Sequence, residues 1–263
     1  MLLAIDAGNT NVVFAAFEGE VLKGSWRCAT EVRRTRDEFC AFLDYCLHAA
    51  GLKRTDFKHA IIASVVPDLD FTLKTLCRQD FGCEPLIIAH GQCELGINVL
   101  LPRPQEVGAD RLVNAVAARH LYGDPLVIID FGTATTFDVV DQEGYRGGVI
   151  APGINLSLEA LHRAAAKLPR VNVDRPAHVI GTSTIEAMQS GIYWGYISLI
   201  EGLVERIGKD YARHSPKAMK VIATGGLSPL FQAGTKVIQH TNADLTLTGL
   251  RLIFARSQQK MAA

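Results

Sequence analysis

Two aspartates, Asp6 and Asp130, each close an apolar run. In both cases a glycine follows two residues later, and then small hydroxyl or amide side chains. The first copy reads Leu2-Leu3-Ala4-Ile5-Asp6-Ala7-Gly8-Asn9-Thr10-Asn11-Val12-Val13. The second reads Leu126-Val127-Ile128-Ile129-Asp130-Phe131-Gly132-Thr133-Ala134-Thr135-Thr136-Phe137, with the aspartates 124 positions apart. Such a turn suits a phosphate group: a glycine lets backbone come close, exposed N–H groups and a hydroxyl such as Thr10 bind the anion, and an acceptor-only carboxylate takes a metal ion or its water shell. One such turn alone is equally an ordinary hairpin shaped by its Asp. The repetition favours paired phosphate-binding turns on two similar lobes. A strand, not a helix, follows each glycine, so neither a dinucleotide fingerprint nor a P-loop applies.

Three further stretches carry candidate chemistry. Glu106-Val107-Gly108-Ala109-Asp110-Arg111 leads into a helix. Asp110 either caps that helix or serves as a general base for a substrate hydroxyl, and Arg111 could clamp a carboxylate through its planar fork. Arg146-Gly147-Gly148-Val149-Ile150-Ala151-Pro152-Gly153 breaks a strand before a helix, for close contact with a ligand or for a tight loop. Val221 to Pro229 runs a strand into Gly225-Gly226, either a tight strand-to-helix turn or a bare backbone surface on which an adenine ring could lie. The eight histidines show no metal spacing. Trp26 and Trp194 read as core residues. Tyr193, Trp194 and Tyr196 suit a packed helix pair, such as one between subunits.

These groups need elements to hold them. Residues 2–6, 11–17 and 21–27 read as strands joined by turns too short for a crossover helix, so they pair antiparallel. Helices are expected over 35–51, 69–81, 110–122, 157–167, 183–211 and 248–261, the fifth opened by a capping box at Ser183-Thr184-Ile185-Glu186. Strands are expected over 59–67, 85–89 and 219–224, with the hairpin pattern restarting at Pro125. The fold class is α/β: two similar lobes, each a mixed sheet with an antiparallel hairpin start and flanking helices. The predicted boundary gives lobes 1–122 and 123–263, with the last helix able to pack back on the first.

Composition narrows the function. Acidic and basic residues balance at 27 each, which gives no electrostatic case for nucleic acid or an anionic membrane. The N-terminus lacks a signal peptide's basic region and no apolar run approaches a membrane span, so a cytoplasmic protein is expected. The six cysteines lie within the first 93 residues without a Cys-x-x-Cys pair and are expected to be reduced and mostly buried.

Five segments in order, Asp6 to Asn11, Glu106 to Arg111, Asp130 to Thr136, Gly148 to Gly153 and Ala223 to Gly226, resemble the type III pantothenate kinases, over nearly the whole chain. That family lies in the acetate and sugar kinase/Hsc70/actin superfamily. The resemblance implies two ribonuclease-H-like (actin-like ATPase) lobes with ATP in the cleft, and phosphorylation of pantothenate to 4'-phosphopantothenate, the first step of coenzyme A biosynthesis. Residue by residue, it implies that Asp6, Ala7, Gly8, Asn9, Thr10, Asn11, Val12 and Val13 bind ATP phosphate, that Thr133 touches phosphate and that Gly225 and Gly226 contact the nucleotide. It implies Asp110 as proton acceptor, Gly108, Ala109, Asp110 and Arg111 lining the pantothenate pocket, and Asp130 holding potassium or ammonium. Mg²⁺ would accompany ATP, and Thr184 would reach the pantothenate of a neighbouring subunit in a homodimer. Leu101 stands where many members carry a substrate-contacting Tyr. A hydroxyl contact is lost there, and an apolar contact with the dimethyl group of pantothenate is kept. The alternatives are a superfamily kinase for another hydroxylated metabolite, a same-family accessory protein of transcription without turnover, and an ATP-driven conformational protein.

Overall fold

The computed structural model describes residues 1–89, 91, 93–165 and 168–262. The chain falls into two compact units, one formed by Met1–Ala117 with the C-terminal helix, the other by Ala118–Asp244. In the first unit β1 (Leu2–Ala7), β2 (Asn11–Glu18) and β3 (Val21–Ala29) form an antiparallel meander. Helix α1 (Arg36–Ala49), β4 (His59–Ser64), α2 (Pro67–Asp80) and β5 (Pro85–Ile87) follow, and the sheet order is β3-β2-β1-β4-β5 with β4 parallel to β1. Helix α3 (Ala109–Tyr122) leads to the second unit. There β6 (Leu126–Phe131), β7 (Ala134–Val140) and β8 (Tyr145–Pro152) repeat the meander. After α4 (Ile154–Ala164) and α5 (Thr184–Tyr211) come β9 (Lys220–Thr224), α6 (Ser228–Gln232) and β10 (His240–Thr241), in the same sheet order β8-β7-β6-β9-β10. Helix α7 (Leu245–Ala262) closes the chain and packs on β1 and β4 of the first unit.

The central, parallel-paired strands of each sheet (β1 and β4, β6 and β9) are buried on both faces, as parallel strands under helix cover require. In the first unit Leu3, Ile5 and Ala7 meet Phe39, Leu43 and Leu47 of α1 and Leu69, Leu73 and Leu76 of α2. Alternate residues point to the other face, where α7 lies. In the second unit Val127, Ile129 and Phe131 meet Tyr193, Ile197 and Ile200 of α5 and Phe231 of α6. Strands β1 and β6 share one burial pattern: four buried residues, a half-buried Asp, then a buried residue. The sequence repeat is thus a structural repeat, and each Asp is the one polar residue delivered to the end of an apolar strand.

Several expectations are revised. Pro67 begins α2 instead of ending β4, since proline lacks only an N–H that a first turn leaves unbonded. The glycines at 147 and 148 do not break a strand; β8 runs through them to Pro152. Tyr193 and Tyr196 do pack on other helices, but within this chain: both are buried in the second unit's core against Phe231 of α6, and Tyr196 meets Ser157 of α4. The Ser183 hydroxyl caps Glu186 N–H, but the Glu186 carboxylate bonds Thr182, not Ser183, so only half the predicted box forms. A complete box instead opens α1, at Thr35 and Glu38. The predicted helix from Ser157 to Lys167 ends on positions outside the described residues; its described part belongs to α4, which begins at Ile154. All six cysteines are free, with Cys46, Cys77 and Cys83 buried. Among the described residues no helix is long and apolar enough to cross a membrane.

Candidate active site

In the first unit the predicted residues collect at the carboxyl ends of the parallel strands, the edge at which open α/β sheets bind ligands. Asp6 lies opposite Val13 in the hairpin and beside Ala63 of β4. The turn that follows is closed by Gly8 N–H donating to the Asn11 carbonyl, 3.0 Å. Thr30, just past β3, holds this loop twice. Its N–H donates to the Thr10 carbonyl at 2.9 Å and its hydroxyl to the Gly8 carbonyl at 2.6 Å. Past β4, Val65 N–H donates to the Ala7 carbonyl at 3.0 Å, and the Val65 side chain packs beside Gly108. Strand β1, the end of β4 and the entry to α3 are therefore stitched together at one edge.

Asp110 is the second residue of α3, not its cap. Its Oδ1 accepts the Arg111 N–H at 2.8 Å and folds back over Gly108. Burial pushes its pKa above the ordinary 3.8, opposed by the Arg111 N–H and the Arg111 charge. A carboxylate so placed holds a proton more readily than a solvated one. Ala109 is buried and Arg111 half-buried beside it. Leu101 is half-buried in the segment that leads through the short turn Pro104–Glu106 to Gly108.

The second unit builds a matching edge. Asp130 lies opposite Thr136 and beside Thr224. Its turn is closed by Gly132 N–H donating to the Ala134 carbonyl at 3.0 Å. Two glycines are required around it. A methyl group on Gly153 would collide with the Thr133 carbonyl oxygen. Gly225 has φ +87°, and a methyl group there would lie 2.6 Å from the Phe131 carbonyl oxygen and 2.9 Å from Asp130 Oδ1. The bare position beside Asp130 is thus flanked by a carboxylate and a carbonyl oxygen, donors of the kind a hard monovalent cation accepts. The close approach expected of Arg146 to Gly153 is to the chain's own Gly132-Thr133 loop. Behind Gly153, the Tyr196 hydroxyl donates to the Pro152 carbonyl at 2.9 Å and lies 2.6 Å from the Ser157 hydroxyl.

Thr184 stands apart, exposed in the first turn of α5. Cavities of about 300 and 260 Å³ in the second unit are lined by other residues. The first takes Val127 and Val221, remote from the Asp130 end, and the second takes Arg146, Tyr211 and His214. Among the described residues no three His, Cys, Asp or Glu side chains gather as a metal cage. A divalent ion carried by nucleotide phosphates with one protein carboxylate, such as Asp6, needs none. Sequence reasoning missed Thr30 and gave neither Tyr196 nor Thr224 a role at this edge. The signal that could have found Thr30 is its register, one residue past the third strand, which matches Gly153 in the repeat.

A meander of three strands continued by two parallel strands, formed twice, is the ribonuclease-H-like fold of two-lobed ATPases and kinases. Component A of (R)-2-hydroxyglutaryl-CoA dehydratase from Acidaminococcus fermentans shares this fold at TM-score 0.56 and 14% identity, covering 100% of this chain and 99% of that one. Residues 2–206 match the family model described as type III pantothenate kinase. Relatives of that name are 60% identical in Paramagnetospirillum magneticum, over 98% of both chains, and 56% identical in Rhodospirillum rubrum, over 98% of this chain and 99% of that one. The chain belongs to the type III pantothenate kinase family.

Proposed function

We propose that this chain transfers the γ-phosphoryl group of ATP to the primary hydroxyl of pantothenate, giving 4'-phosphopantothenate and ADP, with Asp110 as the general base. This is the first step of coenzyme A biosynthesis, and the expected location is the cytoplasm. The observation that carries the residue assignment is Asp110 itself: a carboxylate held by the first turn of α3, with its pKa raised by burial, at the same sheet edge as Asp6 and the Gly8–Asn11 loop.

The hydroxyl oxygen attacks the γ-phosphorus, the bond to the β–γ bridging oxygen breaks, and Asp110 accepts the hydroxyl proton. The transition state is loose, so positioning and charge neutralisation outweigh covalent help. Backbone N–H groups of Asn9 and Asn11, with the Thr10 hydroxyl, bind phosphate oxygens, and Thr133 adds a phosphate contact. Asp6 would hold the Mg²⁺ that accompanies ATP, and Asp130, with the Phe131 carbonyl near it, would hold potassium or ammonium. These cations would supply neutralisation of phosphate charge. Gly225 and Gly226 present a bare surface to the nucleotide. Arg111 pairs with the pantothenate carboxylate, and Leu101 packs on its dimethyl group. Thr184 reaches the substrate of a second copy in a homodimer, which fits its exposure here.

The test is a coupled assay for ADP with ATP–Mg²⁺, varying pantothenate and potassium. ADP formation that needs both is expected, with a product heavier than pantothenate by one phosphoryl group. Formation indifferent to pantothenate but driven by another hydroxylated metabolite would replace the substrate assignment. No formation at all would favour a role without turnover.

A further inference from the structure

Thr30 lies outside every segment that motif reasoning selects, yet it makes two of the hydrogen bonds that fix the Gly8–Asn11 loop. We infer that Thr30 is a positioning residue for nucleotide phosphate. It turns the Gly8 and Thr10 carbonyls toward β3 and so aims the N–H groups of Asn9 and Asn11 the opposite way, at the anion. The inference rests on the reading that this loop binds ATP phosphate.

The geometry follows from the peptide plane. In a trans peptide the C=O of one residue and the N–H of the next point in opposite directions. The Gly8 carbonyl is held by the Thr30 hydroxyl at 2.6 Å, which directs the Asn9 N–H away from β3. The Thr10 carbonyl is held by the Thr30 N–H at 2.9 Å, which directs the Asn11 N–H the same way. Gly8 N–H is spent on closing the turn, at 3.0 Å to the Asn11 carbonyl. Asn9 and Asn11 therefore present a pair of donors on one side of the loop, and both carbonyls, which would repel an anion, are tied back on the other. The N–H half of the clamp is backbone and survives any non-proline substitution. The hydroxyl half depends on Thr or Ser at position 30. Without it the Gly8–Asn9 peptide can rotate, and its carbonyl can swing toward the phosphate.

The experiment titrates ADP with Mg²⁺ calorimetrically into the wild-type chain, Thr30→Val and Thr30→Ser, and measures KM for ATP and for pantothenate in each. Valine keeps the shape and the N–H bond and removes only the hydroxyl. The expected result is about tenfold weaker ADP binding and a similar rise in KM for ATP for Thr30→Val, the size of one hydrogen bond to a loop carbonyl. KM for pantothenate stays within twofold, and Thr30→Ser restores nucleotide affinity. A general loosening of the first unit would move both KM values together and serine would not matter, so that pattern overturns the inference. Wild-type ADP affinity in Thr30→Val overturns it too. In either case a wild-type chain that still turns over pantothenate leaves the proposed function standing. A wild-type chain that binds no ADP removes both. Should valine not fold, amide exchange in the wild-type chain decides: ADP is expected to protect Asn9 and Asn11, and unchanged exchange there rejects the inference.

Discussion

The two hairpin turns occupy one register and are held by different means. In the first unit Asn11 pairs with Ala29, and in the second Ala134 pairs with Pro152, so Thr30 and Gly153 are equivalent positions one step beyond. Thr30 reaches the loop with a hydroxyl and an N–H. Gly153 lets the Thr133 carbonyl rest on its own backbone, where no side chain fits. The first loop is also longer, running from Gly8 to Asn11 against Gly132 to Ala134, and carries amide and hydroxyl side chains at Asn9, Thr10 and Asn11. A loop held by a side chain can be tuned by substitution. A loop pressed onto backbone can only be kept or broken. The units also differ at the helix that follows each last strand. Helix α3 has Asp110 in its first turn, while α7 has no acid there. The repeat therefore supplies two candidate phosphate-binding turns but one candidate base.

The largest expected effect exploits that last asymmetry. Asp110→Asn should lower kcat by about 10²- to 10⁴-fold with ADP affinity retained, as for loss of a general base. Wild-type turnover in this variant would make the two sheet edges catalytically alike. The pH profile sharpens the assignment. Because burial raises the Asp110 pKa, kcat/KM should fall as pH drops through a value above the ordinary 3.8, and the variant should lose that limb. Stability runs the other way. The folded chain holds the Asp110 proton more tightly than the unfolded chain, so stability declines as pH rises from 3.8 through the raised value. Asp110→Asn should therefore melt higher than wild type at neutral pH, and a lower melting temperature would contradict the cost assigned to that buried charge.

Next in size are the glycines. Gly153→Ala forces a methyl group against the Thr133 carbonyl, and Gly225→Ala adds a left-handed φ of +87° to its close contacts. Each should destabilise by at least about 2 kcal/mol in denaturant unfolding. Gly8→Ala should cost under about 1 kcal/mol, because its φ is not left-handed and its nearest contact is the Asn11 carbonyl at 3.3 Å. Equal costs at positions 8 and 153 would erase the distinction drawn between the loops.

That contrast also marks what the sequence could disclose. The meander, the parallel strands and their repetition were legible because apolar runs, tight turns and glycine stops are local. The two aspartates were legible because each interrupts such a run. Gly225 was legible as a bare strand-end glycine, but its place beside Asp130 was not, since it lies far along the chain and that contact arises only when β9 pairs with β6. Asp110 was read as a possible cap because a carboxylate beside a helix start looks the same one residue either way; Leu112 N–H bonding the Gly108 carbonyl moves it into the first turn. The aromatic residues of α5 suggest a packed helix pair, but nothing local reveals that the partner is Phe231 of α6 in the same chain.

The smallest expected effect tests how far the support of the second loop extends. Tyr196 bonds the Pro152 carbonyl at 2.9 Å and meets Ser157, so it steadies the turn on which the loop rests. Tyr196→Phe removes those bonds without changing shape and should cost about 0.5–1.5 kcal/mol in stability. Its effect on ADP affinity should stay within about threefold, because one of the two lost bonds reaches the loop only through Pro152 and Gly153 and the steric contact at Gly153 remains. Thr30→Val acts on its loop directly and should weaken ADP binding more. If Tyr196→Phe weakens ADP as much as Thr30→Val, the second turn depends on its hydroxyl support as fully as the first. The backbone contact at Gly153 would then be a consequence of that support and not its substitute.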